Sequence, residues 1–256
     1  ASIVMPIGID HKDFLKKGTI DEIIYEKCSH LLNGSKIIVA NQKEEVLKKI
    51  NKNIAKNSSL KFFFGKDYKY NKNTNGFTYK DKEGTIKLPQ PNLLGEFQVS
   101  NICTAINTAR NLGQFNISDN HIRKAITKIR SEGRLQIIDR GKLKKHLPKK
   151  NQILIIDGAH NPLAGDVVNK YLKSFYKKKK IIMIIGMMIN KEHKKFIQIF
   201  KKTVHSAIAL DIPNQTNFIK KEKLSKIAKS CGIISKTESS IEKALKYIAK
   251  EDENAI

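Results

Sequence analysis

The segment that most constrains the fold is residues 153–162, which read Ile-Leu-Ile-Ile-Asp-Gly-Ala-His-Asn-Pro. Its four consecutive branched apolar residues predict a strand covered on both faces, as in a parallel sheet, because such strands have no solvent-facing side. Pro162 suits the first position of a following helix. Asp157, His160 and Asn161 are therefore predicted at the carboxyl end of a strand and the amino end of a helix, where open α/β sheets bind ligands.

The residues of this turn also have ordinary structural uses. Asp and Asn cap helices, Gly permits turns, and a single His is often a satisfied structural group. Loops at strand ends carry function more often than cores do. Spacing alone therefore leaves the structural and the functional interpretation of the turn both open.

The composition fits a globular protein of one large domain or two moderate ones, since 256 residues with 40% apolar content can form substantial cores. No apolar run approaches the roughly 20 residues needed to cross a bilayer, and residues 1–6 are too few and too uncharged for a signal peptide. These features predict a cytoplasmic protein. The cysteines Cys28, Cys103 and Cys231 are widely spaced and odd in number, which predicts reduced, mostly packed thiols.

The net charge of +25 is compatible with nucleic-acid binding, because lysine and arginine gathered on one face attract phosphates. Only five of the 49 basic residues are arginine, the residue best suited to base and phosphate recognition, and the lysines are spread along the chain. The lysine run 177–180 precedes a predicted strand and fits a solvated turn. A basic nucleic-acid-binding protein therefore remains an alternative, ranked below the two enzyme hypotheses given at the end of this section.

The first half of the chain alternates between strand and helix patterns and then changes to short hairpins. Apolar residues at helical spacing follow Thr19, and either Thr19 or Asp21 is the expected cap. Asn75-Gly76 and Glu83-Gly84 predict two hairpin turns. The predicted strands are 3–7, 36–40 and 62–65, and the predicted helices are one after Thr19, 44–56, one that ends at Ala109, and 120–129.

The second half of the chain repeats strand, helix and strand. This repetition with crossover helices predicts a doubly wound, parallel α/β domain. The absence of a Gly-x-Gly-x-x-Gly sequence weighs against a dinucleotide site. The predicted strands are 153–156, 181–186 and 206–212, and the predicted helices are 163–176, 191–202, 220–230 and 240–250.

The turn Asp157-Gly158-Ala159-His160-Asn161-Pro162 resembles the signature of the folylpolyglutamate synthase and dihydrofolate synthase family, within the Mur ligase superfamily. The resemblance implies that Asp157 lies near the nucleotide ribose or the metal and helps to bind ATP. It also implies that His160 places glutamate or the reacting carboxylate. Both residues are thus candidate catalytic residues.

Two elements near the amino end, Asp10-His11 and Glu26-Lys27, are similar to a turn and a helix of the same family. The resemblance implies that His11 binds a magnesium ion. It further implies that Lys27 is carbamylated, which requires a partly buried lysine whose neutral amine is accessible near neutral pH. A capping His and a surface Glu-Lys pair are the structural alternatives.

Three further positions match the family pattern to different degrees. The segment 94–101 resembles one in which an asparagine contacts the adenine of ATP, and Asn101 is the matching residue. Glu132-Gly133-Arg134 resembles the interdomain hinge Pro-Gly-Arg with Glu in place of Pro, which implies that Arg134 reaches the ATP phosphates. Asn190-Lys191-Glu192 stands where relatives carry Asp-Lys-Asp, and only Lys191 is kept.

The resemblance implies a partial ATPase domain of the Mur ligase type, residues 1–132, followed by a Rossmann-like doubly wound α/β glutamate-ligase domain, residues 133–256. Relatives begin with a glycine-rich phosphate loop that ends in Gly-Lys-Ser or Gly-Lys-Thr, and this sequence contains none. We therefore expect a fragment of a longer ligase, truncated at both ends and inactive in isolation.

The implied activity is ATP-dependent addition of L-glutamate to dihydropteroate or a folate through an acyl phosphate, with Mg²⁺ as the cofactor, by a monomer that does not bind membranes. A second hypothesis is another Mur-type ligase of peptidoglycan assembly. Those ligases usually carry Tyr-Ala-His in the turn, so Gly158 before Ala159 favours the folate enzymes.

Overall fold

The computed structural model describes residues 1–9, 15–251 and 256. The chain divides into two compact units, Ala1–Ser131 and Glu132–Ile256, called here the first and the second unit. Both units are mixtures of helices and strands, and the predicted α/β fold class is confirmed.

The first unit contains a parallel sheet with its strands in the order β1-β2-β3. Thr19 caps the first crossover helix in a capping box with Glu22, so of the two caps considered from sequence, Thr19 and Asp21, the first is correct. Apolar residues such as Ile24, Ile37 and Ile50 are fully buried between the sheet and the helices. The elements are β1 (Ser2–Val4), α1 (Ile20–Ser29), β2 (Lys36–Val39), α2 (Glu44–Asn53) and β3 (Leu60–Phe63).

An antiparallel meander follows in the same unit, and the two predicted hairpins are confirmed. Gly76 is required at the first turn because a Cβ there would lie 2.0 Å from the Leu88 carbonyl oxygen. Phe77 and Tyr79 on the buried face pack against the first of two helices. The elements are β4 (Lys69–Asn73), β5 (Gly76–Asp81), β6 (Gly84–Pro89), α3 (Glu96–Asn111) and α4 (Asp119–Lys128).

The second unit contains a parallel sheet with its strands in the order β11-β10-β9. The alternation of strands and helices predicted for this half is confirmed, but β11 was missed because three of the four residues in its sequence Ile-Ser-Lys-Thr are polar. The elements are β9 (Ile182–Ile185), α6 (His193–Ile199), β10 (Ser206–Ala209), α7 (Lys221–Ser230), β11 (Ile234–Thr237) and α8 (Ile241–Glu251).

The strand predicted at 153–156 forms as β8 (Leu154–Ile156), but the prediction that it joins a parallel sheet is wrong among the described residues. It pairs antiparallel with β7 (Gln136–Ile138), a strand that was not predicted. The chain reverses between β7 and β8. β8 is half-buried, and its other edge borders a cavity. Helix α5 (Pro162–Phe175) follows, with the proline in its first turn as predicted.

The cysteines at positions 28, 103 and 231 are all free and buried, as predicted. Among the described residues, no helix has the length and apolar character that crossing a membrane requires.

Candidate functional site

The turn after β8 is bound to the segment that precedes β7 by backbone and carboxylate hydrogen bonds. The Leu135 N–H donates to Asp157 Oδ2 over 2.8 Å, and the Ala159 N–H donates to Asp157 Oδ1 over 2.7 Å. The Gly158 N–H donates to the Gly133 carbonyl oxygen over 2.8 Å. Asp157 therefore joins two segments that are more than 20 residues apart in sequence.

Arg134 lies between Gly133 and Leu135, the two residues that bond to the turn of Asp157 and Gly158. Gly133 has a φ of 64° and Leu135 a φ of 47°, so both adopt the left-handed conformation. For Leu135 this costs about 1–2 kcal/mol, which the burial of its side chain and the bond to Asp157 offset. The Arg134 side chain is exposed on this fixed turn. The structure thus brings Arg134 and Asp157, two of the predicted site residues, into one turn-to-turn contact.

His160 and Asn161 lie at the amino end of α5. The His160 Nδ1 atom is 2.9 Å from the Gly158 carbonyl oxygen, which can only accept, so Nδ1 carries the proton and Nε2 is the acceptor of the neutral ring. Asn161 caps the helix, with its Oδ1 accepting from the Ala164 N–H over 2.9 Å. The His160 ring is exposed and held at the positive end of a helix dipole.

Lys191 lies in the loop between β9 and α6, after the carboxyl end of a strand in the same unit. Two backbone bonds join this loop to the loop after β10, from the Ile189 N–H to the Asn217 carbonyl oxygen and from the Ile219 N–H to the Met187 carbonyl oxygen. The loop that carries Lys191 is thereby held in place.

Asp10 and His11 lie outside the described residues, so the predicted magnesium ligand has no observed position. The segment that leads to them is held by Gln42, whose Oε1 accepts from the Ile7 N–H and whose Nε2 donates to the Met5 carbonyl oxygen, both over 2.9 Å. Sequence reasoning missed Gln42. A polar residue three positions after the end of β2 was the available signal, because loops at the carboxyl edge of a parallel sheet meet.

Lys27 is exposed on α1, and the buried positions of that helix are Ile23, Ile24 and Cys28. The neighbouring Glu26 pairs with His30 on the same surface, with Oε1 and Nε2 separated by 3.0 Å. Carbamylation of Lys27 requires this side chain to be partly buried, whereas the structure shows it exposed.

Asn101 is half-buried in α3, one turn beyond its start. Its Nδ2 donates to Oε1 of the buried Gln98 over 3.3 Å. This bond fixes the amide of Asn101 and occupies one of its two amino hydrogens, so the remaining hydrogen and the carbonyl oxygen match the two-point pairing that an adenine edge offers. Gln98 belongs to the same sequence segment and was not singled out from the sequence.

Across residues 1–9, 15–251 and 256, no three His, Cys, Asp or Glu side chains come together as a cation site. Asp157 is the one predicted acidic site residue, and backbone amides engage both of its carboxylate oxygens. The described residues therefore do not by themselves fit a bound magnesium ion.

Comparison with protein families gives two matches, which cover successive parts of the sequence. Residues 1–109 match the Mur ligase middle domain, and residues 133–255 match the glutamate ligase domain of Mur ligases. Among curated proteins, the chain is similar to a dihydrofolate synthase/folylpolyglutamate synthase of Buchnera aphidicola, with 27% identity over 268 residues that cover 98% of this chain and 57% of the relative. It is also similar to a folylpolyglutamate synthase of Lacticaseibacillus casei, with 24% identity over 75% of this chain and 44% of the relative.

Solved structures show the same fold. The structure of E. coli FolC in complex with DHPP and ADP superposes with a TM-score of 0.83 at 22% identity, over 99% of this chain and 56% of that chain. A bifunctional folylpolyglutamate synthase/dihydrofolate synthase of Yersinia pestis, complexed with AMPPNP and Mn ion, gives a TM-score of 0.79 at 19% identity, over 100% of this chain and 57% of that chain. The chain spans about half the length of these relatives.

Proposed function

We propose a folate ligase function, because this chain belongs to the folylpolyglutamate synthase and dihydrofolate synthase family of Mur ligases. The reaction is ATP-dependent addition of L-glutamate to dihydropteroate, a folate or both. The observation that carries the proposal is the contact between the two motif segments of the second unit, in which Asp157 and Gly158 bond to the residues on either side of Arg134.

The proposed chemistry has two steps. A substrate carboxylate attacks the γ-phosphorus of ATP, giving an acyl phosphate and ADP. The amine of glutamate then attacks the acyl carbon and loses a proton as the amide forms and phosphate leaves. Both steps place negative charge on phosphoryl oxygens, so a fixed cation and fixed N–H donors stabilise them more than mobile groups would.

Arg134 is proposed to contact the ATP phosphates. Its guanidinium is always charged and presents several N–H donors in one plane, which suits a phosphoryl group. The backbone on both sides of Arg134 is held by bonds to the Asp157 turn, so the side chain starts from a fixed point. Because the backbone of Arg134 is already fixed, less conformational entropy is lost when its guanidinium binds the phosphates.

His160 is proposed to position glutamate or the reacting carboxylate. Both ligands carry carboxylates, which the amino end of α5 attracts. Asp157 holds the turn by accepting hydrogen bonds from the Leu135 and Ala159 amides. The remaining lone pairs of its carboxylate oxygens are proposed to contact the nucleotide ribose or the metal.

The roles proposed for the first unit rest on the family pattern. Asn101, with its amide fixed by Gln98, is proposed to pair with adenine. His11 is proposed as a ligand of Mg²⁺, which would offset phosphate charge when bound. Lys27 is proposed as a carbamylated group only if substrate binding covers it, because it is exposed in the structure.

The test joins this chain to the part of the Buchnera relative that lies outside the aligned region, and measures ATP-dependent incorporation of radiolabelled glutamate. We expect incorporation into dihydropteroate or a reduced folate. The substitution Arg134→Ala is expected to lower kcat by about 10²-fold or more, whereas Arg140→Ala, at another exposed arginine of the same unit, should leave it unchanged. Glutamate transfer to a peptidoglycan precursor, with none to folates, would overturn the proposal in favour of another Mur ligase.

A further inference from the structure

The lysines of the second unit are distributed unevenly between the two edges of its parallel sheet. Connections that enter the three strands lie at the amino edge of the sheet, and connections that leave them lie at the carboxyl edge. Those at the amino edge contain six lysines and no Asp or Glu, whereas those at the carboxyl edge contain two lysines and three acids. The two sets are residues 176–181, 200–205 and 231–233, and residues 186–192, 210–220 and 238–240.

The lysine-rich composition does not by itself account for this difference. A net charge of +25 enriches lysine throughout the chain, but composition alone would enrich both edges of the sheet alike. Lysine in the last turn of a helix also compensates the helix dipole, yet Lys177, Lys178, Lys201 and Lys202 lie beyond the ends of their helices. The fold thus gathers lysines that are far apart in sequence at one edge, which is the condition that nucleic-acid binding sets on a basic chain.

The three connections at the amino edge lie side by side. The strand order is β11-β10-β9, and neighbouring strands are about 4.8 Å apart. The His205 N–H, just before β10, donates to the Ile181 carbonyl oxygen, just before β9, over 2.8 Å. Next to β11, Gly232 leaves room for a lysine, since a Cβ there would lie 3.1 Å from Lys201 Cε. The Lys201 side chain therefore crosses from the β10 connection to the β11 connection, and the lysines form one continuous surface.

Five lysines of this edge are exposed and have no carboxylate partner among the described residues, where ion pairs of the second unit use other lysines such as Lys170 and Lys195. Like charges held close together repel one another, and a bound anion relieves the repulsion. Phe175, the last residue of α5, is 69% exposed beside them. The amino-edge surface is defined here as Phe175 with Lys177, Lys178, Lys201, Lys202 and Lys229.

We propose that the amino-edge surface binds single-stranded nucleic acid through its phosphates, without reading its sequence. Lysine binds phosphate oxygens as a point charge and lacks the planar fork with which arginine recognises bases. Five lysines along one edge suit a chain of phosphates, each of which releases counterions when a lysine neutralises it. The exposed ring of Phe175 offers a face on which one base can stack.

An anionic bilayer carries the same phosphate chemistry but fits this surface less well. A protein that binds a bilayer surface uses an apolar face in addition to its cations. Among the described residues of the amino edge, the exposed large apolar side chains are Phe175 and Ile234, at 69% and 70%. Phe175 precedes β9 and Ile234 begins β11, so the two lie on either side of β10 and do not form one apolar face.

The amino-edge surface is separate from the loop of the candidate ligase site in the same sheet. The loop that carries Lys191 follows β9 at the carboxyl edge, whereas Lys177 and Lys178 precede the same strand. Nucleic acid is therefore expected to bind without ATP or a folate. Failure to bind nucleic acid would leave the proposed ligase function untouched.

The test measures the affinity of the full chain for a fluorescently labelled oligouridylate of about 12 nucleotides, at salt concentrations from about 50 to 200 mM. Each phosphate contact on a single strand contributes about −0.7 to the slope of log K against log salt, so five contacts predict a slope of about −3.5. Lys201→Gln combined with Lys202→Gln should make the slope less steep by about 1.4. The matched control, Lys220→Gln with Lys223→Gln, removes the same charge where α7 begins at the carboxyl edge and should leave the slope unchanged.

Phe175→Ala should weaken binding by about 5- to 150-fold without changing the slope, because it removes base stacking but no charge. A slope that changes as much in the control as in the variant of Lys201 and Lys202 would overturn the proposal, since net charge and not this surface would then hold the nucleic acid. Absence of binding at about 50 mM salt would overturn it too. Binding to phosphatidylglycerol vesicles without binding to the oligonucleotide would also overturn it and would assign the surface to membranes.

Discussion

The bond between Asp157 and the Leu135 amide can be tested by replacing Asp157 with Asn. The carboxylate accepts two N–H groups, from Leu135 over 2.8 Å and from Ala159 over 2.7 Å. The amide of Asn has one acceptor oxygen, and its NH₂ group cannot accept from the second N–H. One of the two backbone donors therefore loses its partner in the variant.

The size of the effect follows from the charge on the acceptor. A hydrogen bond to a charged group contributes about 1.5–3 kcal/mol. Because about 1.4 kcal/mol corresponds to a factor of ten, losing the bond should shift the equilibrium between the closed and the open turn by about 10- to 150-fold. The Leu135 amide is the donor more readily lost, because the left-handed conformation of Leu135 favours relaxation once the bond is gone.

The assay is residue-resolved amide hydrogen exchange. We expect the Leu135 amide to exchange about 10- to 150-fold faster in Asp157→Asn. The matched control is Asp166→Asn in the same unit, where an exposed i,i+4 pair with Lys170 is lost and exchange should change by less than about threefold. A Leu135 amide that exchanges at the parent rate in Asp157→Asn would show that Asp157 does not hold the turn, and the support for Arg134 would be lost.

Three other predictions concern the first unit. Replacing Arg110 with Leu should lower the free energy of unfolding by about 3–5 kcal/mol in urea titrations, because it leaves buried Asp81, 2.9 Å away and 2% exposed, without its cation; a loss below about 1 kcal/mol would contradict a buried ion pair. Burial raises the pKa of Tyr79 above its ordinary value, so the unfolded state loses this proton first and stability should fall as pH rises above about 10. Tyr79→Phe should lose less stability than the parent between pH 9 and 11, and equal losses would count against this cause. Gln42→Leu should speed exchange of the Ile7 amide by about 2- to 13-fold, the loss of a neutral hydrogen bond, whereas an unchanged rate would mean that Gln42 does not hold the segment.

The elements that were predicted well are those whose signals are local. The cap at Thr19, the turn at Asn75-Gly76 and the helix start at Pro162 each depend on a few adjacent residues, and all three form as predicted. Such features follow from backbone conformation and near hydrogen bonds, which the sequence displays directly.

The features that were missed depend on partners far along the chain. β8 has the apolar sequence of a central parallel strand, but its observed partner is β7, which the sequence did not reveal because only three residues form it. A strand pattern predicts burial but does not identify the neighbouring strand.

Two of the predicted site residues lie in turns that are bonded to each other, although the sequence did not show how. Arg134 and Asp157 do meet through their turns, but the Asp157 carboxylate bonds to backbone amides of Leu135 and Ala159, which a sequence motif cannot show. The left-handed conformation of Leu135 was also unforeseen, since the sequence shows leucine where glycine or asparagine would be typical.

Position 135 consequently has to meet two requirements that favour opposite side chains. Glycine or asparagine would adopt the left-handed backbone readily but would leave an apolar site empty, whereas valine or isoleucine would fill the site but resist that backbone. Leu135 is a compromise between the two, being fully buried and left-handed at once. A saturation library at this codon should therefore yield few well-folded replacements, with unbranched, flexible methionine the best tolerated among them.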